Sequence, residues 1–240
     1  MAKLVFLIDG PIGAGKSELL RYVDQHKDRF RPFLEENENL ETVLEYYDQE
    51  ALSIYYQFRD QFPNYNELFE ISQLTSRQVR LLKAKHGRGI YAFDRGMISG
   101  VKVFTETSFE EGNLTLQTRE RIYNHMRLGI DIIGRKEVRN WLEQVVFYLK
   151  VPDASILGER QKRRRSEGEE GIPPEYLHHI SQKYEQHYLH CHQAYAEFGL
   201  PTPRIIPIDA SVDCREDPHY YPRTLDIILS TLQEMIPHAP

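Results

Sequence analysis

The chain has 240 residues, a net charge of −6 and 40% hydrophobic residues. That length suits one α/β domain or two small ones with a real core, and the acidic balance argues against a general nucleic-acid or membrane-surface binder. Two cysteines, Cys191 and Cys214, lie far apart without metal-type spacing, so two free thiols in a reducing cytosol are expected. The apolar start is too short for a signal peptide, and no stretch approaches a transmembrane helix in length.

Leu4–Ile8 is a continuous apolar run, as expected of a strand buried on both faces of a parallel sheet. It leads into Gly10-Pro-Ile-Gly13-Ala14-Gly15-Lys16-Ser17, which fits the phosphate-loop pattern G-x-x-x-x-G-K-[ST] at each fixed position. Such a loop points several backbone N–H groups at one anion, and the helix that follows aims its positive end at the same place. Lys16 can neutralise the β/γ-phosphates and Ser17 can ligate Mg²⁺. A second strand is expected at Arg31–Leu34, ending in Glu35-Glu36.

Leu40 to Arg59 reads as helical and carries Tyr46, Tyr47, Tyr55 and Tyr56, and Phe62-Pro63-Asn64 breaks it. Glu67 to Lys85 reads as a long helix with Leu68, Ile71, Leu74, Val79 and Leu82 near one stripe, stopping at His86-Gly-Arg-Gly89. Ile90–Phe93 is the next strand, with Asp94-Arg95 at its carboxyl end. Thr105 to Leu116 is polar loop, in part helical. Thr118 to Leu142 is helix-rich with a break near Gly129 or Gly134, and Val145–Val151 is a strand closed by Pro152. Ala154 to Arg165 is a helix that turns strongly basic, followed by the loop Ser166–Gly171. Pro174 to Phe198 is a long helix, Arg204–Ile208 a last strand ending at Asp209, and Thr224 to Met235 a terminal amphipathic helix. About five strands alternating with helices imply an α/β fold, a parallel sheet covered on both faces, in one domain over 1–240.

Ligands of open α/β sheets bind beyond the carboxyl ends of the strands. The phosphate loop, Glu35, Asp94-Arg95 and Asp209 are all expected there. Phosphoryl transfer to a hydroxyl needs a held donor, Mg²⁺, a proton acceptor and cations for the transferring oxygens. Glu35 suits the proton acceptor, Arg95 can orient it and touch the phosphoryl group, and Asp94 can reach the metal together with Ser17. Arg160-Gln-Lys-Arg-Arg164-Arg165, followed by Gly168 and Gly171, suits a basic lid over about 158–171 that closes on triphosphate.

Taken together these motifs resemble the deoxynucleoside kinase family, from Leu4 to about Arg215. The most specific piece is Gly171-Ile-Pro-Pro-Glu-Tyr-Leu177, which matches the family's Gly-Ile-Pro-Leu-Glu-Tyr-Leu stretch save one proline. Leu34-Glu35-Glu36-Asn37-Glu38 is similar to the family's Glu-Pro-Val-Glu stretch, whose first Glu is the catalytic base. Asp94-Arg95-Gly96 resembles its Glu/Asp-Arg-Ser triplet, with Gly in place of Ser. The resemblance further implies lid arginines at Arg160 and Arg164, a sugar-contacting glutamate at Glu169 with Glu167 as a rival, and an adenine-side loop over Ile208–Cys214 that includes Asp209, Asp213 and Cys214. The family places a sugar-binding Tyr eleven residues before a base-reading Gln. Tyr46 and Gln57 have that spacing, and a second register puts Glu70 or Gln73 at the base and Arg77 at a family arginine.

The implied activity is transfer of the γ-phosphate of ATP, with Mg²⁺, to the 5′-hydroxyl of a deoxynucleoside by a phosphate-loop kinase fold. The implied assembly is a cytoplasmic homodimer with no nucleic-acid or membrane partner. Two alternatives stay open at this point. A thymidylate kinase-like enzyme needs cations for an acceptor phosphate, for which Arg31 is the one candidate near the expected second strand. A nucleotide switch or nucleic-acid binder would use the basic run 160–165, but there is no guanine-reading Asn-Lys-x-Asp motif.

Overall fold

The computed structural model describes residues 2–45, 49–59, 61–134, 143–164, 172–212 and 215–236. Five strands form one wholly parallel sheet: β1 Leu4–Asp9, β2 Leu40–Val43, β3 Ile90–Asp94, β4 Glu143–Lys150 and β5 Arg204–Asp209, in the order β2-β3-β1-β4-β5. The helices are α1 Lys16–Gln25, α2 Gln49–Phe58, α3 Pro63–His86, α4 Met97–Ser99, α5 Glu106–Glu110, α6 Leu116–Ile133, α7 Ala154–Arg164, α8 Pro174–Leu189, α9 Cys191–Glu197 and α10 Tyr220–Met235. A π-helical turn, Gly100–Thr105, joins α4 to α5.

β1 is buried along its whole length because each face has its own helical cover. Leu4, Phe6 and Ile8 point to one side, where Leu19, Leu20 and Val23 of α1 and Leu225, Ile228 and Leu232 of α10 close the core. Val5 and Leu7 point to the other, against Leu74 and Leu81 of α3, Ile122, Met126 and Ile130 of α6 and Tyr195 of α9. The period of two along the strand thus feeds two separate apolar layers. Local signals set the helix ends. The Thr115 hydroxyl accepts from the Thr118 N–H at the start of α6, and Gly134 at φ 119° ends it. Pro63 begins α3, where a missing N–H costs nothing, so the proline expected to break a helix starts one instead. A turn at His190 divides the expected helix 174–198 into α8 and α9.

Two expectations fail, and both matter for the site. Arg31–Leu34 is not a strand: Lys27–Phe33 is a 3₁₀ helix, and the second strand is Leu40–Val43. The alternating Leu-Glu-Thr-Val of this edge strand buries only Leu40 fully, so its apolar signal is weak. Of the expected helix 40–59, Leu40–Val43 is strand and Gln49–Phe58 is helix, and residues 46–48 lie outside the described residues. The second failure concerns α3. Leu68 and Val79 are exposed, and the inward face alternates apolar Leu74 and Leu81 with the buried polar stripe Asn66, Glu70, Gln73, Arg77 and Arg80.

Candidate active site

Because all five strands run the same way, their carboxyl ends share one edge of the sheet. β1 delivers the phosphate loop there. Gly10 takes φ 147°, and a Cβ on it would lie 2.7 Å from the Leu149 carbonyl oxygen, so only glycine lets the loop cross β4. Lys16 is buried, and its Nζ donates to the Pro11 carbonyl at 2.9 Å. Burial, followed by the nearby Arg95 charge, lowers its pKa to about 8. The loop is anchored from below by Asp9, which is fully buried. Its Oδ1 accepts from the Gly10 N–H at 2.7 Å and the Tyr184 hydroxyl at 3.0 Å. Its Oδ2 accepts from Tyr188 at 2.8 Å and from the Ser99 hydroxyl.

β3 brings in Asp94 and Arg95. The Ser17 hydroxyl donates to Asp94 Oδ2 at 2.8 Å, so the two residues expected at the metal do meet. Asp94 Oδ1 is buried and has no hydrogen-bond partner among the described residues. Burial raises the Asp94 pKa. Arg95 is the one described non-glycine residue with positive φ, at 62°. That conformation costs about 1–2 kcal/mol, and strain of this kind gathers at functional sites. Here it turns the guanidinium over the Phe104 ring, 4.3 Å from the centroid, and into an ion pair.

The partner in that ion pair is Glu45, two residues beyond β2. Arg95 Nη1 lies 3.1 Å from Glu45 Oε2, and Arg77 reaches Oε1 with Nη2 at 2.5 Å and Nε at 2.7 Å. The Glu45 side chain is 1% exposed. Glu35, expected in this position, sits elsewhere. Its side chain is 72% exposed and lies 3.8 Å from Lys3 Nζ, just before β1 begins. That is the amino edge of the sheet, the length of β1 away from the phosphate loop, about 15–20 Å at the rise of a strand. The reason is the misplaced strand: β2 ends at Val43, eight residues beyond Glu35.

A cleft joins these groups. Ile12, Gly13, Lys16, Ser17, Asp94, Arg95 and Arg77 gather at the loop end with Phe104 beneath Arg95, and Tyr55, Tyr56, Phe69, Glu70 and Gln73 line the remainder. Gln57 points away from it and is exposed, because Tyr56 takes the inward position on α2. The register with Glu70 and Gln73 is therefore the one the fold brings to the cleft. Tyr46 lies outside the described residues.

A second hollow of about 600 Å³ flanks the other side of the loop, lined by Gly13, Ala14, Gly15, Glu18, Arg160, Arg163, Val212, Arg215, Tyr220 and Tyr221. Arg160 Nη2 donates to the Ser211 carbonyl at 3.2 Å. Asp209 is not a wall of this hollow. Its carboxylate caps the turn after β5, accepting from the Ser211 N–H at 2.9 Å and hydroxyl at 2.6 Å, which lowers its pKa. The Arg164 side chain, Glu167, Glu169, Asp213 and Cys214 lie outside the described residues, as does the lid beyond Arg164.

Sequence reasoning missed Glu45 and Asp9 and placed Arg77, Glu70 and Gln73 second. The polar stripe 66, 70, 73, 77, 80 has the helical period of any buried face; it was hidden because its members are polar. Among the described residues no group of three or more His, Cys, Asp or Glu could hold a metal alone, and no helix is long and apolar enough to cross a membrane.

Comparison with known proteins converges on one family. The deoxynucleoside kinase family model matches residues 6–225. Deoxycytidine kinase 2 of Gallus gallus is 28% identical over 235 residues, covering 88% of this chain and 83% of that protein. Two solved structures of deoxyadenosine kinase from M. mycoides share the fold, each at a TM-score of 0.64 and 20% identity. One has products dCMP and a flexible dCDP bound and covers 96% of this chain and 100% of that one; the other, with bound dATP, covers 95% and 99%. Nothing in these matches favours a thymidylate kinase. With a phosphate loop beside a buried Arg–Glu–Arg cluster at one end of an aromatic-walled cleft, the chain belongs to the deoxynucleoside kinase family.

Proposed function

We propose that this kinase moves the γ-phosphate of ATP to the 5′-hydroxyl of a deoxynucleoside, with Glu45 as the proton acceptor. The observation that carries the reading is the Arg77–Glu45–Arg95 cluster at the mouth of the phosphate loop. ATP lies with its phosphates on Gly10–Ser17 and its adenine in the hollow beside Tyr220, Tyr221 and Arg160. The deoxynucleoside fills the cleft from Arg95 to Glu70. Glu45 accepts the 5′-hydroxyl proton as the oxygen attacks, while Arg95, Lys16, Arg160 and Arg164 balance charge on the transferring oxygens. The sugar contacts expected of Tyr46 and Glu169, and the part of the lid in closure, belong to the same reading.

Ser17 and Asp94 suit Mg²⁺. They offer one hydroxyl and one carboxylate with an unused oxygen, and Mg²⁺ takes its remaining ligands from phosphates and water. When bound, the ion would neutralise β- and γ-phosphate oxygens. Release of ADP from Mg²⁺-ATP in the presence of each natural deoxynucleoside tests the activity. Turnover with deoxynucleosides and none with their 5′-monophosphates is expected; the reverse pattern would defeat the reading.

Lys16 sets a pH dependence on the donor side. A bound polyphosphate favours the charged ammonium, and the free enzyme loses that charge above pH 8. The KM for ATP should therefore rise by about tenfold per pH unit above pH 8, and change little between pH 7 and 8. A KM that stays level from pH 8 to 9.5 would contradict a cationic role for Lys16.

The proposed assembly is a cytoplasmic homodimer through the outer faces of α3 and α6. Leu68 and Val79 on α3 and Leu128 and Ile132 on α6 are all exposed, and Thr75 and His125 meet between the two helices at 2.9 Å. Apolar side chains collected on one face mark an interaction surface. Light scattering should report a dimer, and a Val79→Glu, Leu128→Glu double variant should be monomeric. A wild-type monomer at micromolar concentration would refute this assembly.

A further inference from the structure

The far end of the cleft holds two buried side-chain acceptors, the Glu70 carboxyl and the Gln73 amide oxygen. Glu70 is buried and its Oε2 accepts from the Thr105 hydroxyl at 3.2 Å. One turn along α3, Gln73 Oε1 is buried with no hydrogen-bond partner among the described residues. Both residues line the cleft, between the aromatic walls of Tyr55, Tyr56, Phe69 and Phe104. Tyr55 and Phe69 stack on each other at 4.4 Å between centroids, which fixes this part of the wall. Arg77 and Arg80, farther along the same face, hold Glu45 and the Asp94 carbonyl at the reacting end. The helix thus measures out the cleft, from the reacting end to the acceptor-lined end two turns away, about 10 Å.

A carboxylate only accepts hydrogen bonds, and buried acceptors left unpaired are costly. The occupant of this end must therefore present adjacent donors. Of the four natural bases, guanine alone sets a ring N–H beside an amino group, N1–H next to N2–H₂. Adenine and cytosine set an amino group beside a ring acceptor, and thymine sets one N–H between two carbonyls. Resting on the reading of this cleft as the nucleoside site, we infer that Glu70 and Gln73 are the base-reading residues and that they select deoxyguanosine. Glu70 takes N1–H and one N2–H on its two oxygens, and Gln73 Oε1 takes the other N2–H.

The Glu70 carboxyl is poised near neutrality: burial, opposed by Arg77, lifts its pKa to about 7. The groups that bear on it are Arg77 on its own helix, Thr105 of the π-helical turn, Arg95 after β3 and Glu45 after β2. Tyr55 of α2 and Tyr176 of α8 also face it. Once protonated, Glu70 offers one donor and one acceptor, the pattern that adenine and cytosine complement. The preference for deoxyguanosine over deoxyadenosine should therefore weaken below pH 7.

The test is kcat/KM with Mg²⁺-ATP for deoxyguanosine, deoxyinosine, deoxyadenosine, deoxycytidine and thymidine at pH 8 and pH 6. Deoxyguanosine should lead at pH 8. Deoxyinosine, which keeps N1–H and lacks the amino group, loses both N2–H bonds and should fall at least about tenfold behind, since the bond to the charged Glu70 alone is worth that much. Glu70→Gln, whose amide offers a donor and an acceptor, should shift the ratio toward deoxyadenosine and abolish its pH dependence. Deoxyguanosine no better than deoxyinosine in the wild type, or an unchanged ratio in Glu70→Gln, would overturn the assignment while leaving the kinase reading intact. Failure of all five nucleosides to turn over would overturn both. The deoxyinosine comparison uses the wild-type enzyme, so it holds even if the variant folds poorly.

Discussion

Glu45→Gln is expected to lower kcat by about 10²–10⁴-fold, the usual worth of a positioned general base, with a much smaller change in the KM for ATP. The amide keeps the shape of the carboxylate and can still accept from one arginine, so the fold should survive. Glu35→Gln should leave kcat within about twofold of wild type, since its side chain is exposed at the opposite edge of the sheet. Surface changes of this kind rarely matter. Steady-state kinetics on the two variants, side by side with thermal melts, distinguishes them. A crippled Glu35→Gln beside a healthy Glu45→Gln would reverse the assignment and with it the direction of the cleft.

Asp9→Ala should cost about 3–5 kcal/mol of stability, as expected when a buried charge that holds several donors is removed. Five groups from three parts of the chain close on that carboxylate: the Gly10 N–H, the Gly96 N–H, the Ser99 hydroxyl, and Tyr184 and Tyr188 of α8. Without it the Gly10 N–H and the tyrosine hydroxyls are buried with nothing to donate to. The same variant should weaken ATP binding, because Asp9 fixes the first residue of the phosphate loop. Tyr188→Phe removes a single donor and should cost about 1–2 kcal/mol. Urea midpoints report these differences. An Asp9→Ala loss below about 1 kcal/mol would mean that the tyrosines find other partners and that the loop does not depend on this anchor.

The parts of the fold legible in the sequence are those with strong local physics. β1 and β4 are long apolar runs because helices cover both their faces, and the phosphate loop follows from its glycines and lysine. Asp94 and Arg95 were found because they end a short, wholly buried strand. The edge strand β2 has no second face to bury. Its Leu-Glu-Thr-Val reads as poorly apolar, and the neighbouring Arg-Pro-Phe-Leu, packed as a 3₁₀ turn, looked more strand-like. That one misplacement put Glu35 at the expected strand end in place of Glu45, ten residues further on. Gln57 lost to Glu70 and Gln73 for a related reason. Spacing from a tyrosine says nothing about which way a helix faces, and α2 turns Tyr56 and Leu52 inward while α3 supplies the polar stripe. The inward face of α3 carries charge where it lines the cleft, so its apolar periodicity is broken, and Leu68 and Val79 face out.

A crystal structure with a deoxynucleoside and a non-hydrolysable ATP analogue tests the central claim most directly. The nucleoside 5′-oxygen is expected within hydrogen-bond reach of a Glu45 carboxylate oxygen, about 2.6–3.2 Å. The same oxygen should lie in line with a γ-phosphate held by Lys16, and the base should rest against Glu70 and Gln73. A 5′-oxygen directed away from Glu45, or a nucleoside bound outside the cleft between Arg95 and Glu70, would contradict that claim.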